Sequence, residues 1–577
     1  MDEVVRGEYP RPQFVRADWM PLNGEWDFSF DEESYDRKIL VPFAYETPLS
    51  GIGERAFHDT VWYRRIFEVP EKWRGKRVLL HFGAVDYECD VWVNGSHAVR
   101  HVGGQLGFSA DITEQLIAGV NTLCVRARDD HSVLDIPRGK QFWKEESESI
   151  FYTATTGIWQ SVWLEPVCDA HIEEVRITPL YDEKAVRFEY RLAGRTGGAE
   201  LKAELSFGGR PVAQAAACTQ SAQGAFSVSL EETALGVWNA GEELVWTPET
   251  PRLFDVTFRL VRGGEVLDEA RSYFGMRKVS VENGRFLLNN RPYYQRLLLD
   301  QGYWPDGGLT APSDEAFAED IRLAKAMGFN GVRKHQKVED PRFLYHADRM
   351  GLLVWGEIGS GYTYSNRLAG RLMEEGGQAV QRDYNHPCIV VWTPLNESWG
   401  VQEIAHAPCE QEFCRAMAAM TKALDATRPV SDNDGWEHVG GDLLTIHDYE
   451  AREEVLAARY RSAETALASR PAARPLYVQG SGYRGEPILV SEFGGISFAA
   501  CGENGWGYST AQDEEDFLRR YEAVIRPMLN SACVQGFCYT QLTDVEQEIN
   551  GLLTYDRQPK ADLERIRRIT CGAGRNG

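Results

Sequence analysis

Ile389-Val-Val-Trp-Thr-Pro-Leu-Asn-Glu397 and Pro487-Ile-Leu-Val-Ser-Glu492 are apolar runs that each end abruptly in a glutamate. An apolar run without polar alternation is the pattern of a strand buried on both faces, as in a parallel sheet covered by helices. Working outward, eight candidate strands lie near residues 293–299, 329–334, 352–357, 389–396, 429–434, 443–448, 487–492 and 534–541. Helix-period segments separate them; Glu315–Met327 is apolar at 317, 321, 324 and 327. Eight strands alternating with helices over roughly 290 residues predict a C-terminal (β/α)8 TIM barrel, residues 278–577. The run Pro429-Val-Ser-Asp-Asn-Asp434 is the weakest of the eight.

The chain upstream has a different texture. Residues 1–168 alternate short β-like runs with turns: Val78–Phe82, Asp90–Val93, Thr122–Ala127 and Gln160–Leu164. Asn94-Gly95 directly after Trp92-Val93 is a strong hairpin signal. No long helical period interrupts them, which predicts an N-terminal jelly-roll β-sandwich. Residues 169–277 repeat the texture in a smaller unit, the size and strand content of an immunoglobulin-like β-sandwich.

At 577 residues the chain is too long for one core, in line with a multidomain protein. A net charge of −24, from 62 basic and 86 acidic residues, argues against nucleic acid and against an anionic membrane as partners. The first residues show no basic start and no apolar core, so no secretory signal is read and the expected location is cytoplasmic. Eleven cysteines lie scattered with no zinc-like spacing, which fits reduced thiols.

A carboxylate at the C-terminal end of a barrel strand sits at the mouth, where such barrels place their chemistry. One such glutamate is as readily a helix cap. Two facing each other provide the acid/base and the nucleophile that hydrolyse a glycosidic bond with retention. Glu397 is expected to be the acid/base, its pKa rising once the nucleophile is esterified or neighbouring negative charge is present, and Glu492 the nucleophile, kept ionised by a cation such as Arg333. Asn396 could bond a ring hydroxyl beside the anomeric carbon. Other polar residues gather at strand ends: Arg333 and His335 after the second, Glu357 after the third, His447 and Tyr449 after the sixth, Tyr539 on the eighth. Trp506, in the Gly- and aromatic-rich loop Cys501–Tyr508, could stack on a sugar; packing against its neighbours is an equal alternative. Gln141-Phe-Trp143 and Phe151-Tyr152 read first as an interdomain contact, with a reach to the barrel mouth as the alternative. The mechanism requires no metal, no compact ligand spacing stands out, and a bound divalent metal stays open.

The chain resembles glycoside hydrolase family 2, the group of β-galactosidases, β-glucuronidases and β-mannosidases. The likeness runs through Leu22–Phe28, Thr60–Arg64, Val91–Gly95, Thr156–Trp159, Leu244–Phe254, Phe274-Gly-Met-Arg277, Asn385–Trp392 leading to Asn396-Glu397, and Glu492-Phe-Gly-Gly495. It implies a retaining, exo-acting enzyme removing one terminal sugar without an organic cofactor, and a homo-oligomer. It also maps Arg333, His335, Asn396, His447 and Tyr449 to substrate contacts. The leading expectation is a β-galactosidase-like activity; α-L-arabinofuranoside, β-galactofuranoside and β-glucuronide are the other glycones. Glucuronide is disfavoured, because the family's Asn-x-Lys pair for the sugar carboxylate is matched here by Asn550 with Leu552, although Lys334 or Lys337 could supply the charge. A carbohydrate-binding scaffold without catalysis is the reading from another class; such a protein would be expected to have lost one carboxylate, and neither is lost.

Overall fold

The computed structural model describes residues 5–233, 236–237, 244–499 and 505–572. The tip of the Cys501–Tyr508 loop, up to Asn504, lies outside the described residues. The first domain packs a four-stranded antiparallel sheet (Met20–Pro21, Val162–Val167, Arg77–Phe82, Phe108–Asp111) on a six-stranded one. Val120–Arg128, central in the second sheet, shows why: Leu123, Val125 and Ala127 alternate inward, with the less buried Cys124 and Arg126 between them. Burying each such aliphatic side chain contributes about 1.5–3 kcal/mol. The Asn94-Gly95 turn joins Glu88–Val93 to Ser96–Val102, both turn residues at positive φ as a type I′ turn demands.

The second domain is a seven-stranded sandwich of a three- and a four-stranded sheet. Its core includes Ile172, Val186, Phe188, Leu201, Phe258 and Phe274. Arg210–Thr219 and Glu265–Phe274 are strands that the apolar pattern did not single out. Both are rich in charged or small residues on their outer faces.

In the third domain seven parallel strands form one sheet in the order Ile389–Thr393, Leu353–Glu357, Gly331–Lys334, Gln295–Asp300, Val534–Thr540, Ile488–Gly494, Leu444–Asp448. Residues 429–434 close the ring between its two edges. They bond Trp392 and Leu395 on one side (Ser431 N to Trp392 O, 2.9 Å; Asp434 N to Leu395 O, 2.9 Å). On the other, Ser431 Oγ meets Thr445 Oγ1 at 3.1 Å and Asp442 N donates to Val430 O at 2.8 Å. Pro429 has no N–H, and Ser, Asp and Asn favour turns, so this element, fifth in chain order, is held by bridges rather than a continuous ladder.

The helix expected over Glu315–Met327 runs Asp314–Ala326, capped by Ser313. Barrel and sandwiches join through buried polar bonds: Tyr273 Oη donates to Asp348 (2.8 Å), and Arg277 to the carbonyls of Pro387 and Ile389 (both 3.0 Å). The ten described cysteines are free, and no described helix is long and apolar enough to cross a membrane.

Candidate active site

Glu397 and Glu492 meet at the barrel mouth, with one oxygen of each and a ring nitrogen of His447 all within 4.8 Å of one another. Glu397 follows the fourth strand in a strained turn: it and Ser398 hold φ near +50° and +59°. Two bonds to the fifth element, residues 429–434, and one to Glu437 just beyond it fix that turn. Glu397 N donates to Asp434 O (2.9 Å), Ser398 N to Asn433 Oδ1 (2.9 Å), and Ser398 Oγ to Glu437 (2.6 Å). Glu492 lies within the seventh strand, at a register irregularity opposite His447.

Arg333 organises the floor. Its guanidinium bonds Glu357 Oε2 (2.7 Å), Glu492 Oε1 (2.9 Å) and Asn396 Oδ1 (2.6 Å), and lies 2.6 Å from Asp434 Oδ2. The outcome for Asn396 is specific. Its oxygen is taken by Arg333, while its Nδ2 has no partner among the described residues and is left to donate. Glu492 Oε2 accepts from Tyr449 Oη at 2.6 Å. Burial, with the charge of Glu492 behind it, raises the phenol of Tyr449 well above its ordinary value, so it stays a donor.

His447 spans both carboxylates of the opposite wall, with Nδ1 at 2.7 Å from Glu397 Oε1 and Nε2 at 2.9 Å from Asp434 Oδ2. Burial disfavours its charge, but Glu492 and Asp434 overcome that and lift its pKa to about 10. The imidazolium then acts on Glu397. Burial alone would raise that carboxyl, yet the bond and charge of His447, followed by Lys140 and Arg333, bring it below its ordinary value. In the free protein the shift is therefore downward. His335 behaves oppositely: burial, reinforced by the charge of Lys140, holds it well below the usual histidine range, so it is neutral beside Glu357 (3.1 Å).

Several expected sugar contacts have other positions. The side chains of Arg333, Glu357 and His447 have no exposed surface. Their bonds go to Glu492, Asn396, His335 and Glu397. Tyr539 is misplaced by strand parity: its ring packs edge-on against Tyr521 of helix Glu514–Asn530 (centroids 4.9 Å) and against Phe493, outside the barrel. Its neighbour Thr540 faces the site instead, with Oγ1 3.2 Å from Tyr449 Oη. Trp506 is half-buried and sits edge-on to Tyr508, which stacks on Tyr449 at 3.4 Å.

The residues missed by sequence reading include Asp434, at the end of the weak fifth run, and Trp436, whose ring lies 5.6 Å from His447. Glu548 was missed too; it accepts from Tyr152 Oη (2.5 Å) and Asn550 Nδ2 (3.0 Å), and burial raises its pKa. Tyr152 belongs to the first sandwich and meets Tyr303 of the barrel edge-on, while the neighbouring Trp143 and Phe151 form an aromatic seam against Tyr362 and Trp399 of the barrel. The segment therefore serves both readings: it is an interdomain contact, and it stands at the mouth.

Two clusters have ligand-like spacing among the described residues. Glu397–His447–Glu492 is the pair itself. Asp348–His386–Cys388 is consumed by internal bonds, His386 Nδ1 and Tyr273 Oη both reaching Asp348 Oδ2 (2.6 and 2.8 Å).

Fold and site define a (β/α)8 barrel buttressed by two β-sandwiches, with paired glutamates at its mouth. Three family models match in chain order: the sugar binding domain of glycosyl hydrolases family 2 (residues 21–164), glycosyl hydrolases family 2 (170–277) and the TIM barrel domain of that family (279–572). The chain belongs to glycoside hydrolase family 2. A β-galactosidase of Thermoanaerobacter pseudethanolicus is 27% identical over 461 residues, covering 76% of this chain and 56% of the relative, so the chain spans about half that protein's length. The β-glucuronidase of Canis lupus familiaris is 26% identical over 642 residues, covering 96% and 90%. The structure of Bifidobacterium dentium β-glucuronidase complexed with coumarin-3-O-glucuronide superposes with a TM-score of 0.77 at 22% identity, over 97% of this chain and 98% of the other, a likeness of fold.

Proposed function

We propose that this protein is a retaining exo-β-glycosidase whose glycone is a β-glucuronosyl residue. The observation that carries the reaction is the approach of the Glu397 and Glu492 oxygens to within 4.8 Å. Retaining glycosidases hold their two carboxyls about 5–5.5 Å apart, whereas inverting ones leave room for a water between them. The Glu492 oxygen attacks the anomeric carbon while Glu397 gives its proton to the departing glycosidic oxygen. Water, deprotonated by Glu397, then displaces Glu492 and releases the sugar. Arg333 and Tyr449 bond the two oxygens of Glu492 and aim it, and Asn396 Nδ2 is placed to bond the hydroxyl next to the reacting carbon. A bound glycosidic oxygen that draws Glu397 away from His447 also removes what lowers its pKa, restoring it as an acid.

The glycone departs from the β-galactosidase-like expectation because the relatives that cover nearly the whole chain are β-glucuronidases. A β-galactoside remains the second reading. It is favoured by the Thermoanaerobacter relative and by Glu548, a carboxylate suited to a neutral sugar's hydroxyls.

The test is a panel of 4-nitrophenyl β-glycosides with Glu492→Ala and Glu397→Ala. Loss of the nucleophile should lower kcat by about 10⁴-fold or more. Azide should then rescue Glu397→Ala as the β-glycosyl azide and Glu492→Ala as the α-anomer. Near-normal turnover in Glu492→Ala, or interchanged azide products, would overturn the roles. Turnover of galactoside without glucuronide would overturn the glycone.

A further inference from the structure

We propose that Lys140, a residue of the first sandwich rather than of the barrel, is the cation that receives the carboxylate of the glycone. The inference rests on the uronide reading above and supplies what that reading lacks. A buried sugar carboxylate needs a cationic partner, since leaving one unpaired costs several kcal/mol. The barrel segment Glu548-Ile-Asn550-Gly-Leu552 offers amide and carboxylate but no cation.

The other cations near the mouth are already engaged. Lys334 is bound by Asp300 (2.6 Å) and Glu339 (2.7 Å). Lys337 is bound by Glu339 (3.1 Å) and by the carbonyls of Gly302 (2.7 Å) and Leu309 (3.0 Å). Arg333 serves Glu357, Asp434 and Glu492. Lys140 differs. It is 94% buried (6% exposed), its Nζ lies 5.0 Å from the centre of the Trp399 indole, and among the described residues that Nζ has no hydrogen bond or ion pair. Trp399 stands two residues after Glu397, and the charge of Lys140 acts on that glutamate.

Its position is built, not incidental. Arg138 N and Gly139 N both donate to Ser360 O at 3.0 Å, and Tyr362 Oη donates to the carbonyls of Gly139 and Gln141. Gly139 takes φ +64°, and a Cβ there would lie 2.0 Å from Gln336 O, so only glycine lets the segment seat against the barrel. Tyr152 N donates to Lys140 O at 2.9 Å, closing the clamp. Lys140 also acts electrostatically on Glu397, His335 and Glu548 together, which places its charge among the groups facing the sugar. A uronic sugar can set its carboxylate on Lys140 and a ring hydroxyl on Glu548. A neutral sugar leaves the buried ammonium without a direct ion-pair partner.

The test compares kcat/KM on 4-nitrophenyl β-glucuronide and 4-nitrophenyl β-glucoside for wild type, Lys140→Met and Lys140→Arg, with thermal melting as the check on folding. Lys140→Met should lower the glucuronide-to-glucoside ratio by about 100-fold, chiefly through KM, as expected when one member of a buried charge pair is truncated. Lys140→Arg should retain most of the ratio. Wild type that takes glucoside and refuses glucuronide would overturn the uronide reading and this inference with it. Wild type active on glucuronide, with a ratio unchanged in Lys140→Met, would overturn the role of Lys140 alone. Equal loss on both substrates would make Lys140 a structural residue.

Discussion

At the residue scale the site is a contest of charges decided by His447. Its raised pKa, about 10 against an ordinary 6.5, means that the folded protein holds a proton there that the unfolded chain releases near neutrality. A raised histidine contributes stability that is complete below pH 6.5 and drains away as pH rises toward 10. Glu397 has the opposite sign: its lowered pKa contributes above about pH 4.5 and is lost as pH falls through its folded value. Replacing His447 by Gln leaves Asp434 and Glu397 without their shared donor, and breaking one partner of a buried pair costs about 3–5 kcal/mol. The difference in melting temperature between wild type and His447→Gln should be largest between pH 5 and 6.5 and shrink steadily up to pH 10. Melting curves across that range check it; a gap that widens with pH would show that His447 is neutral in the folded protein.

At the element scale the outcome was set by strand ends and by strand parity. The two glutamates were legible because a long apolar run that stops at a carboxylate has few other uses: strand Ile389–Thr393, which Glu397 follows, and strand Ile488–Gly494, which contains Glu492, lie where the runs predicted. Tyr539 was not, because Val534–Thr540 is buried on both faces and its apolar pattern gives no sign of which residues face the axis. Asp434 stayed hidden for a different reason: its segment is polar, begins with proline and pairs only by bridges, so it carries none of the periodicity by which strands are recognised. Parity makes a direct prediction. Tyr539→Phe should keep kcat/KM within about threefold, because the hydroxyl does not face the sugar. Tyr539→Ala should cost about 3–5 kcal/mol of stability through the cavity left against Tyr521 and Phe493. Kinetics and denaturant unfolding of the two variants separate these effects; a large rise in KM for Tyr539→Phe would return the residue to the site.

At the scale of the whole molecule, the mouth is complete only if the first sandwich sits correctly on the barrel, and one guanidinium ties the two sandwiches together. Arg16 reaches Glu165, on the last strand of the first sandwich, at 2.8 Å, and Asp268 of the second sandwich at 3.1 and 2.9 Å, with a further bond to Ile172 O at 2.6 Å. All three side chains are buried. Nothing in the sequence marks this triad, because its members lie about 150 and 250 positions from Arg16 and owe their meeting to domain packing. Arg16→Met keeps the packing volume but strands two buried carboxylates, which should destabilise the sandwich pair by about 3–5 kcal/mol at neutral pH. The sign with pH follows from Glu165, which the cations around it, Arg11 first, hold far below its ordinary value against the pull of burial. A lowered carboxylate contributes stability above about pH 4.5 and loses it on acidification, so the gap between wild type and Arg16→Met should narrow as pH falls below 4.5. Calorimetry suits the measurement, since three domains need not unfold in one step. The transition of the sandwiches should move to lower temperature while the barrel's moves less, and activity should be lost with the first transition, because Tyr152 leaves Glu548 when the sandwich departs. Activity that survives until the barrel itself melts would show that the mouth works without the first domain.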